Sequence, residues 1–403
     1  LGIKSLEAKL VQRIVLKGGR VITPWVVEED GVVILAAGKI QYVGREYVPQ
    51  AGDQVLDLTG KLVTPGLIDL HIHGGGGHDV MGGTVEDVFS VAKNQLKAGV
   101  TSFVPSLSSR AWERMLLSLD KINEAYALQQ QNGYQESQIV GIYLEAPFMN
   151  PLSRGGQPLA AIRKPIREDY HQIMDRAGDL LRLVLVAPEL EGGMDLTREV
   201  LSRGLVAAVG HSEASYEEVV AAVELGLDQA VHTFNGGITG ITKRLPGLIG
   251  AALNIDEIHC ELICDGIHVH TANMQLLYKL KGSDKIILIS DAVLPAGLPD
   301  GEYSLSDGRS IRVKNKTAIA SDTDEGNLAG SCLSLNRGVK NMVELVGASL
   351  PEAIKMATVN PARRLGLTNK GSLLPGKDAD LAVFSPDLEV ERVFIAGKEI
   401  AIG

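Results

Sequence analysis

His71 and His73 stand one residue apart at the end of an apolar run, Pro65-Gly66-Leu67-Ile68-Asp69-Leu70-His71-Ile72-His73, and four glycines follow. Alternate side chains of a strand share a face, so the two imidazoles point the same way. Such a pair at a strand end can grip one divalent ion, and imidazole is the commonest protein ligand for zinc and its neighbours. A strand with two incidental histidines is the plain alternative, and the pair alone leaves both open. Four more apolar runs finish on similar chemistry: Tyr-Leu-Glu145, Val-Gly-His211, Val-His232-Thr-Phe-Asn235 and Ile-Ser-Asp291. A single carboxylate at a strand end is more often a helix cap. Five runs ending this way point instead to one shared metal site.

Each side chain has a chemical reason to be there. His71 and His73 suit one ion, His211 and His232 a second, and Glu145 has two oxygens with which to bridge them. A bound divalent ion lowers the pKa of its water toward neutrality and polarises a carbonyl. Asp291 is then placed to take a proton from the water and return it to a leaving amine.

These residues need a scaffold that brings strand ends together. The candidate strands are 67–73, 101–105, 139–145, 182–188, 206–211, 230–234, 261–265 and 286–291. Amphipathic stretches at 84–98, 111–130, 167–177, 196–203, 216–225 and 271–280 lie between most of them, with Asp195 and Ser215 as helix starts. Eight strands alternating with helices predict a (β/α)8 TIM barrel, whose active site lies at the C-terminal ends of the strands. Residues 297–320 read as an inserted hairpin with Asp307-Gly308 at its turn, and 333–346 and 351–358 as closing helices. Short β-rich runs fill the start of the chain, and 380–384 and 391–395 return to that texture. The expectation is a small β-sandwich-like domain built from residues 1–64 plus 360–403, flanking a barrel over 65–359.

Composition bounds the function. With 403 residues, 45% hydrophobic and 22% charged, the chain has a globular balance. A net charge of -10 argues against a nucleic-acid or anionic-membrane surface, so an anionic substrate needs a locally basic pocket. Three cysteines, Cys260, Cys264 and Cys332, make no disulfide framework and fit a reducing cytoplasm. No apolar run reaches membrane-span length, and the start lacks a signal-peptide pattern.

The motifs Pro-Gly-Leu-Ile-Asp-Leu-His71-Ile-His73-Gly, Leu-Glu145-Ala-Pro-Phe-Met-Asn-Pro, Gly-His211-Ser, His232-Thr-Phe-Asn235, Asp265-Gly-Ile-His268-Val, Ser-Asp291-Ala and Leu-Ala-Gly330-Ser331 go further. On them the chain resembles the N-acetylglucosamine-6-phosphate deacetylase family of the amidohydrolase superfamily, over nearly its whole length. The resemblance implies one or two divalent ions (zinc, iron or similar), an amino sugar phosphate substrate and a homodimer. It matches Glu145, His211 and His232 to the main metal site, His71 and His73 to the second, and Asp291 to the catalytic acid/base. It matches Asn235, Arg244 and His268 to groups that hold the phosphosugar, with Arg244 reaching across the dimer.

The chain departs from the family pattern where the sugar is held. Ala146 replaces a glycine, Gln157 stands where a histidine is usual, and Gly236-Gly237 follow Asn235 in place of larger residues. The Arg244 loop is longer by one residue. Gln157 and Gly236 therefore join the candidate substrate contacts, and N-acetylgalactosamine 6-phosphate becomes an alternative substrate. Among other readings, a cyclic-amide hydrolase with a carboxylated lysine lacks that lysine, because 181–188 contains none. A deaminase would need a glutamate just beyond His211, where Glu213 and Glu217 are near. A non-catalytic sugar-binding barrel would have lost Asp291 or a ligand. Gly74 to Gly77 read as a turn rather than a phosphate loop, and His78 and His171 as loop and surface residues.

Overall fold

The protein is described from a computed structural model over residues 12–236, 240–305, 308–320 and 328–403; Gly237 and Asp307 lie outside these. Eight parallel strands follow chain order around a barrel: Leu67–Ile72, Val100–Leu107, a third in two pieces (Gln138–Ile139 and Ile142–Leu144), Leu181–Val186, Val206–Val209, Gln229–Ala230, His259–Ile263 and Ile286–Ile289. Each pairs with its neighbour in parallel. The eighth returns to the first where Asp291 N–H donates to His71 O and His73 N–H to Ala292 O, both at 2.9 Å. The bonds that close the barrel thus run through the backbone of the candidate site residues His71, His73 and Asp291. The expected (β/α)8 architecture is borne out.

The first strand is apolar because it is covered on both faces. Leu67, Ile68, Leu70 and Ile72 are each 0–1% exposed, and burying each contributes about 1.5–3 kcal/mol. Gly66 lets the chain enter the barrel, since a Cβ there would lie 2.1 Å from Thr101 Oγ1. Helices Val85–Leu96, Trp112–Asn132, Arg167–Ala177, Gly193–Ser202, Tyr216–Leu225 and Thr271–Lys285 cover the outside. Ser215 caps its helix in a reciprocal box with Glu218, as its position predicts. Asp195 does not start a helix: the helix begins at Gly193, behind Gly192 at φ 85°. Only glycine fits that turn, because a Cβ on Gly193 would meet Ala187 O at 2.2 Å. Helices Gly247–Asn254 and Val359–Arg364 carry too short a pattern to be read from the sequence.

The insertion is a three-stranded antiparallel sheet, Gly301–Ser304, Ser310–Lys314 and Thr317–Ala320, rather than a single hairpin. Its second turn uses Asn315 and Lys316 at φ 50° and 60°, the geometry of a type I′ turn without the glycine that usually signals it. Strands from both ends of the chain form one eight-stranded sheet. Leu62–Pro65 links the two sets, pairing with Leu381–Phe384 and with the second half of Ile14–Ile22. Leu16, Val33, Leu381 and Phe394, from four of its strands, meet in one buried cluster, the core of the sandwich-like unit. Among the described residues no helix is long and apolar enough to cross a membrane.

Candidate active site

A cavity of about 500 Å³ opens at the C-terminal ends of the barrel strands. His73, Glu145, His211, His232 and Asp291 line it, and His71 lies just beneath, fully buried. Three of these residues sit at positive φ: His211 at 43°, His232 at 22° and Asp291 at 48°. The fifth and eighth strands therefore end two residues earlier, and the sixth four residues earlier, than their apolar patterns suggest, and a left-handed residue follows each. Such backbone costs about 1–3 kcal/mol per residue and clusters at functional sites. The sixth strand stops at Ala230 for this reason.

Glu145 is the hub. Its Oε1 lies 3.1 Å from His211 Nε2, 3.2 Å from His232 Nε2 and 3.6 Å from His71 Nε2. Its Oε2 lies 3.3 Å from His73 Nε2. Asp291 Oδ1 approaches His73 Nε2 at 3.1 Å and His71 Nε2 at 3.8 Å. Two groups with metal-ligand spacing result, sharing Glu145: His71, His73 and Glu145, and Glu145, His211 and His232.

The far side of three rings is tied down. His73 Nδ1 donates to Ser106 O at 2.9 Å and His211 Nδ1 to Ser153 O at 2.7 Å. His71 Nδ1 donates to Glu261 Oε2 at 2.8 Å. A carbonyl only accepts, so His73 and His211 carry their hydrogen on Nδ1 and, when neutral, turn a lone pair toward Glu145. His211 Nε2 and His232 Nε2 lie 3.1 Å apart and cannot both bear a proton. Among the described residues buried His71 Nε2 has no hydrogen-bond partner. Lone pairs facing a carboxylate in a buried site need a cation between them, so the residues fit a divalent metal.

The electrostatics agree. Burial alone would raise the Glu145 carboxyl, but His73, His211, His232 and His71 outweigh it and hold it well below its ordinary value. Burial likewise opposes a charge on Asp291, and His73, His71 and His232 keep it lowered. Both remain carboxylates at neutral pH.

The substrate candidates divide. Asn235 lines the cavity with a buried Nδ2 that has no partner among the described residues. Gly236 follows at φ 83°, where a Cβ would come 3.0 Å from both His211 Nδ1 and His232 Cε1. His268 lines the cavity and its Nδ1 donates to Asp265 Oδ2 at 2.6 Å. Gln157 also lines the cavity, but both ends of its amide are engaged by protein: Oε1 accepts from Ser109 N at 2.7 Å, and Nε2 donates to Glu145 Oε2 at 3.1 Å. Arg244 is exposed and does not line the cavity of its own chain.

Sequence reasoning missed Glu261 and Asp69. Both interrupt apolar strands that are buried on both sides, which is itself a signal that a partner waits inside. Burial pushes the Asp69 carboxyl up to about 6 although Ser290 and His71 bond to it. Its Oδ1 accepts from Ser290 N at 3.2 Å and His71 N at 3.3 Å, linking the first and eighth strands. Arg110, Arg154 and Arg309 also line the cavity and were not singled out.

A family model described as amidohydrolase family matches residues 62–400. The N-acetylglucosamine-6-phosphate deacetylase of Lysinibacillus sphaericus is 33% identical over 371 residues, 92% of this chain and 93% of its own length. The N-acetylgalactosamine-6-phosphate deacetylase of Escherichia coli O157:H7 is 34% identical over 385 residues, covering 95% and 98%. A solved mutant N-acetyl-D-glucosamine-6-phosphate deacetylase of Mycobacterium smegmatis, in complex with N-acetyl-D-glucosamine-6-phosphate, superposes with a TM-score of 0.88 at 29% identity, covering 97% of this chain and all of its own.

Proposed function

The chain belongs to the amidohydrolase family, and we propose that it hydrolyses the N-acetyl group of N-acetylglucosamine 6-phosphate or a closely related N-acetylhexosamine phosphate, releasing acetate and the amino sugar phosphate. One observation carries the reading: four imidazoles converge on the two oxygens of Glu145, with Asp291 beside them. Glu145, His211 and His232 would hold one ion, and His71, His73 and Glu145 a second, of zinc, iron or a similar metal. Bound there, such an ion supplies Lewis-acid chemistry, making water acidic near neutral pH and polarising the amide carbonyl.

The chain's own groups do the rest. Asp291, kept ionised by the facing histidines, accepts a proton from the attacking water and returns it to the departing amine nitrogen. Asn235 offers its spare Nδ2 hydrogens to the sugar phosphate, and His268, fixed by Asp265, closes the same side. A galacto epimer is the second reading, favoured by the 34% identical relative of that name.

We place the protein in the cytoplasm, where the free thiols of buried Cys260 and Cys264 are stable. A homodimer gives exposed Arg244 a place to act, in the pocket of the other subunit. The test is activity against a panel of N-acetylated hexosamines and their 6-phosphates, with metal analysis. About one to two ions per chain, activity lost to a chelator and activity restored by metal are expected. Full activity in metal-free protein overturns the reading.

A further inference from the structure

Resting on that reading, we propose that Arg154 recognises the phosphate group of the substrate from within the same chain. Arg154 is half-buried and lines the cavity beside Asn235 and Gly236. Its Nη1 donates to Gln157 O at 2.8 Å. A guanidinium has five N–H donors, and among the described residues this bond is the one Arg154 makes. Among the described residues neither a carboxylate nor an aromatic ring pairs with it.

The loop that carries Arg154 is built against the metal-ligand candidates. Ser153 O accepts from His211 Nδ1 at 2.7 Å. Gly155 lies beside the same ring: a Cβ on it would make ordinary contacts of 3.4 Å with His211 Cε1 and 3.7 Å with Gly236 Cα. The backbone on either side of Arg154 is therefore fixed beside the candidate metal ligands, and the bond to Gln157 O anchors the guanidinium at the cavity wall. Arg309, on the inserted sheet, reaches the same loop and donates to Gly156 O at 2.6 Å. It brings a second cation to that wall.

Charge explains why such a group is needed. The chain carries a net charge of -10, and Glu145, Asp291 and Asp79 add negative charge inside the cavity. A dianionic phosphate needs compensating cations nearby. Arg110 is already committed, with Nη2 3.5 Å from Asp79 Oδ2. Arg244 stands outside the cavity of its own chain and would reach a bound phosphate only from the other subunit of the proposed dimer, which leaves a cation from the same chain to be assigned. Arg154 has both position and spare donors, and guanidinium matches phosphate through paired N–H groups.

The experiment is calorimetric titration of the metal-containing protein with glucosamine 6-phosphate and with glucosamine, for wild type, Arg154→Ala and Arg154→Lys. Circular dichroism confirms that each variant is folded. Wild type binds the phosphosugar at least tenfold tighter than the neutral sugar. Arg154→Ala weakens phosphosugar binding about 30-fold, the scale of a charge-assisted pair, and leaves glucosamine within about twofold. Lysine restores part of the loss as a point charge. Equal phosphosugar affinity in wild type and Arg154→Ala overturns the assignment. So does an equal loss for both ligands, which would mark the Gln157 O bond as merely structural, or a wild type that does not favour the phosphosugar. Deacetylation by wild type is measured alongside: its absence overturns the proposed reaction, whereas turnover with phosphate preference surviving in Arg154→Ala overturns only the role of Arg154.

Discussion

His71 and Glu261 form a buried pair, Nδ1 to Oε2 at 2.8 Å, with both side chains 0% exposed. The other Glu261 oxygen accepts from Gln229 Nε2 at 2.6 Å, and Oε2 also faces His232 N at 3.2 Å. One carboxylate thus orients a ring from the first strand and the backbone of the sixth, from its seat on the seventh. Burial opposes a charge on His71, but Glu261, Glu145 and Asp291 outweigh it and raise its pKa to about 10.

Glu261→Gln tests this relationship. All three contacts reach Glu261 as donors, so an amide must set its own NH2 against one of them. The second metal position is expected to weaken about 10- to 100-fold, the usual scale for losing a histidine's outer partner. Metal content after dialysis against graded free metal checks it. An unchanged stoichiometry and affinity would show that Glu261 only fills space.

Asp291→Asn keeps the shape of the side chain and removes its ability to carry a proton. Turnover is expected to fall by about 10² or more, the scale of a lost general acid/base. Metal content should remain near normal, because Asp291 lies outside both three-ligand groups. Single-turnover rates and metal analysis on one preparation separate the two effects. Turnover at the wild-type rate would move attention to Glu213, whose backbone N–H donates to Glu189 at 2.7 Å.

The barrel was legible because its strands are apolar runs of the right length at regular intervals, and all eight were located from that pattern. The chemistry was legible because histidines and acids terminate those runs. What the pattern lacked was local backbone geometry. His211, His232 and Asp291 adopt left-handed φ, which the apolar runs leading into them do not signal, so the strand ends came out too long. The helix starts at Gly193 rather than Asp195 because Gly192 takes φ 85° and Gly193 has no Cβ to clash with Ala187 O, neither of which a capping rule reads. Glu261 and Arg154 were invisible as partners because their roles depend on which strands and loops become neighbours.

Stability should depend on pH through His259. Burial, with Arg364 and Lys285 nearby, lowers its pKa from 6.5 to about 4. Between those values the unfolded chain binds more protons than the folded one. The stabilising contribution is therefore present above 6.5 and is lost as pH falls toward 4. His259 is partly exposed, so solvent screening reduces the contribution to about 1 kcal/mol. The difference in unfolding midpoint between pH 7 and pH 5 should shrink in His259→Gln. An identical difference in the variant counts against the assignment.

Gln157 is a candidate substrate contact from the sequence, and its observed bonds add a second candidate task, positioning Glu145. Oε1 holds Ser109 N at 2.7 Å, and Nε2 holds Glu145 Oε2 at 3.1 Å, the oxygen nearest His73. One Nε2 hydrogen remains for a ligand, whereas the bond to Glu145 sets the plane of the carboxylate that both metal groups share. Gln157→Ala frees that carboxylate to rotate and leaves a buried backbone N–H without its acceptor, a cost of about 1–3 kcal/mol. The expected result is a drop of about tenfold in kcat/KM, carried by kcat, that is equal for the gluco and galacto phosphosugars. A residue that read the C4 or C3 hydroxyl would instead change the ratio of the two substrates, since an unpaired polar group penalises one epimer more than the other. Measuring both epimers in wild type, Gln157→Ala and Gln157→His decides between positioning and recognition. A ratio that moves severalfold in either variant returns Gln157 to the sugar.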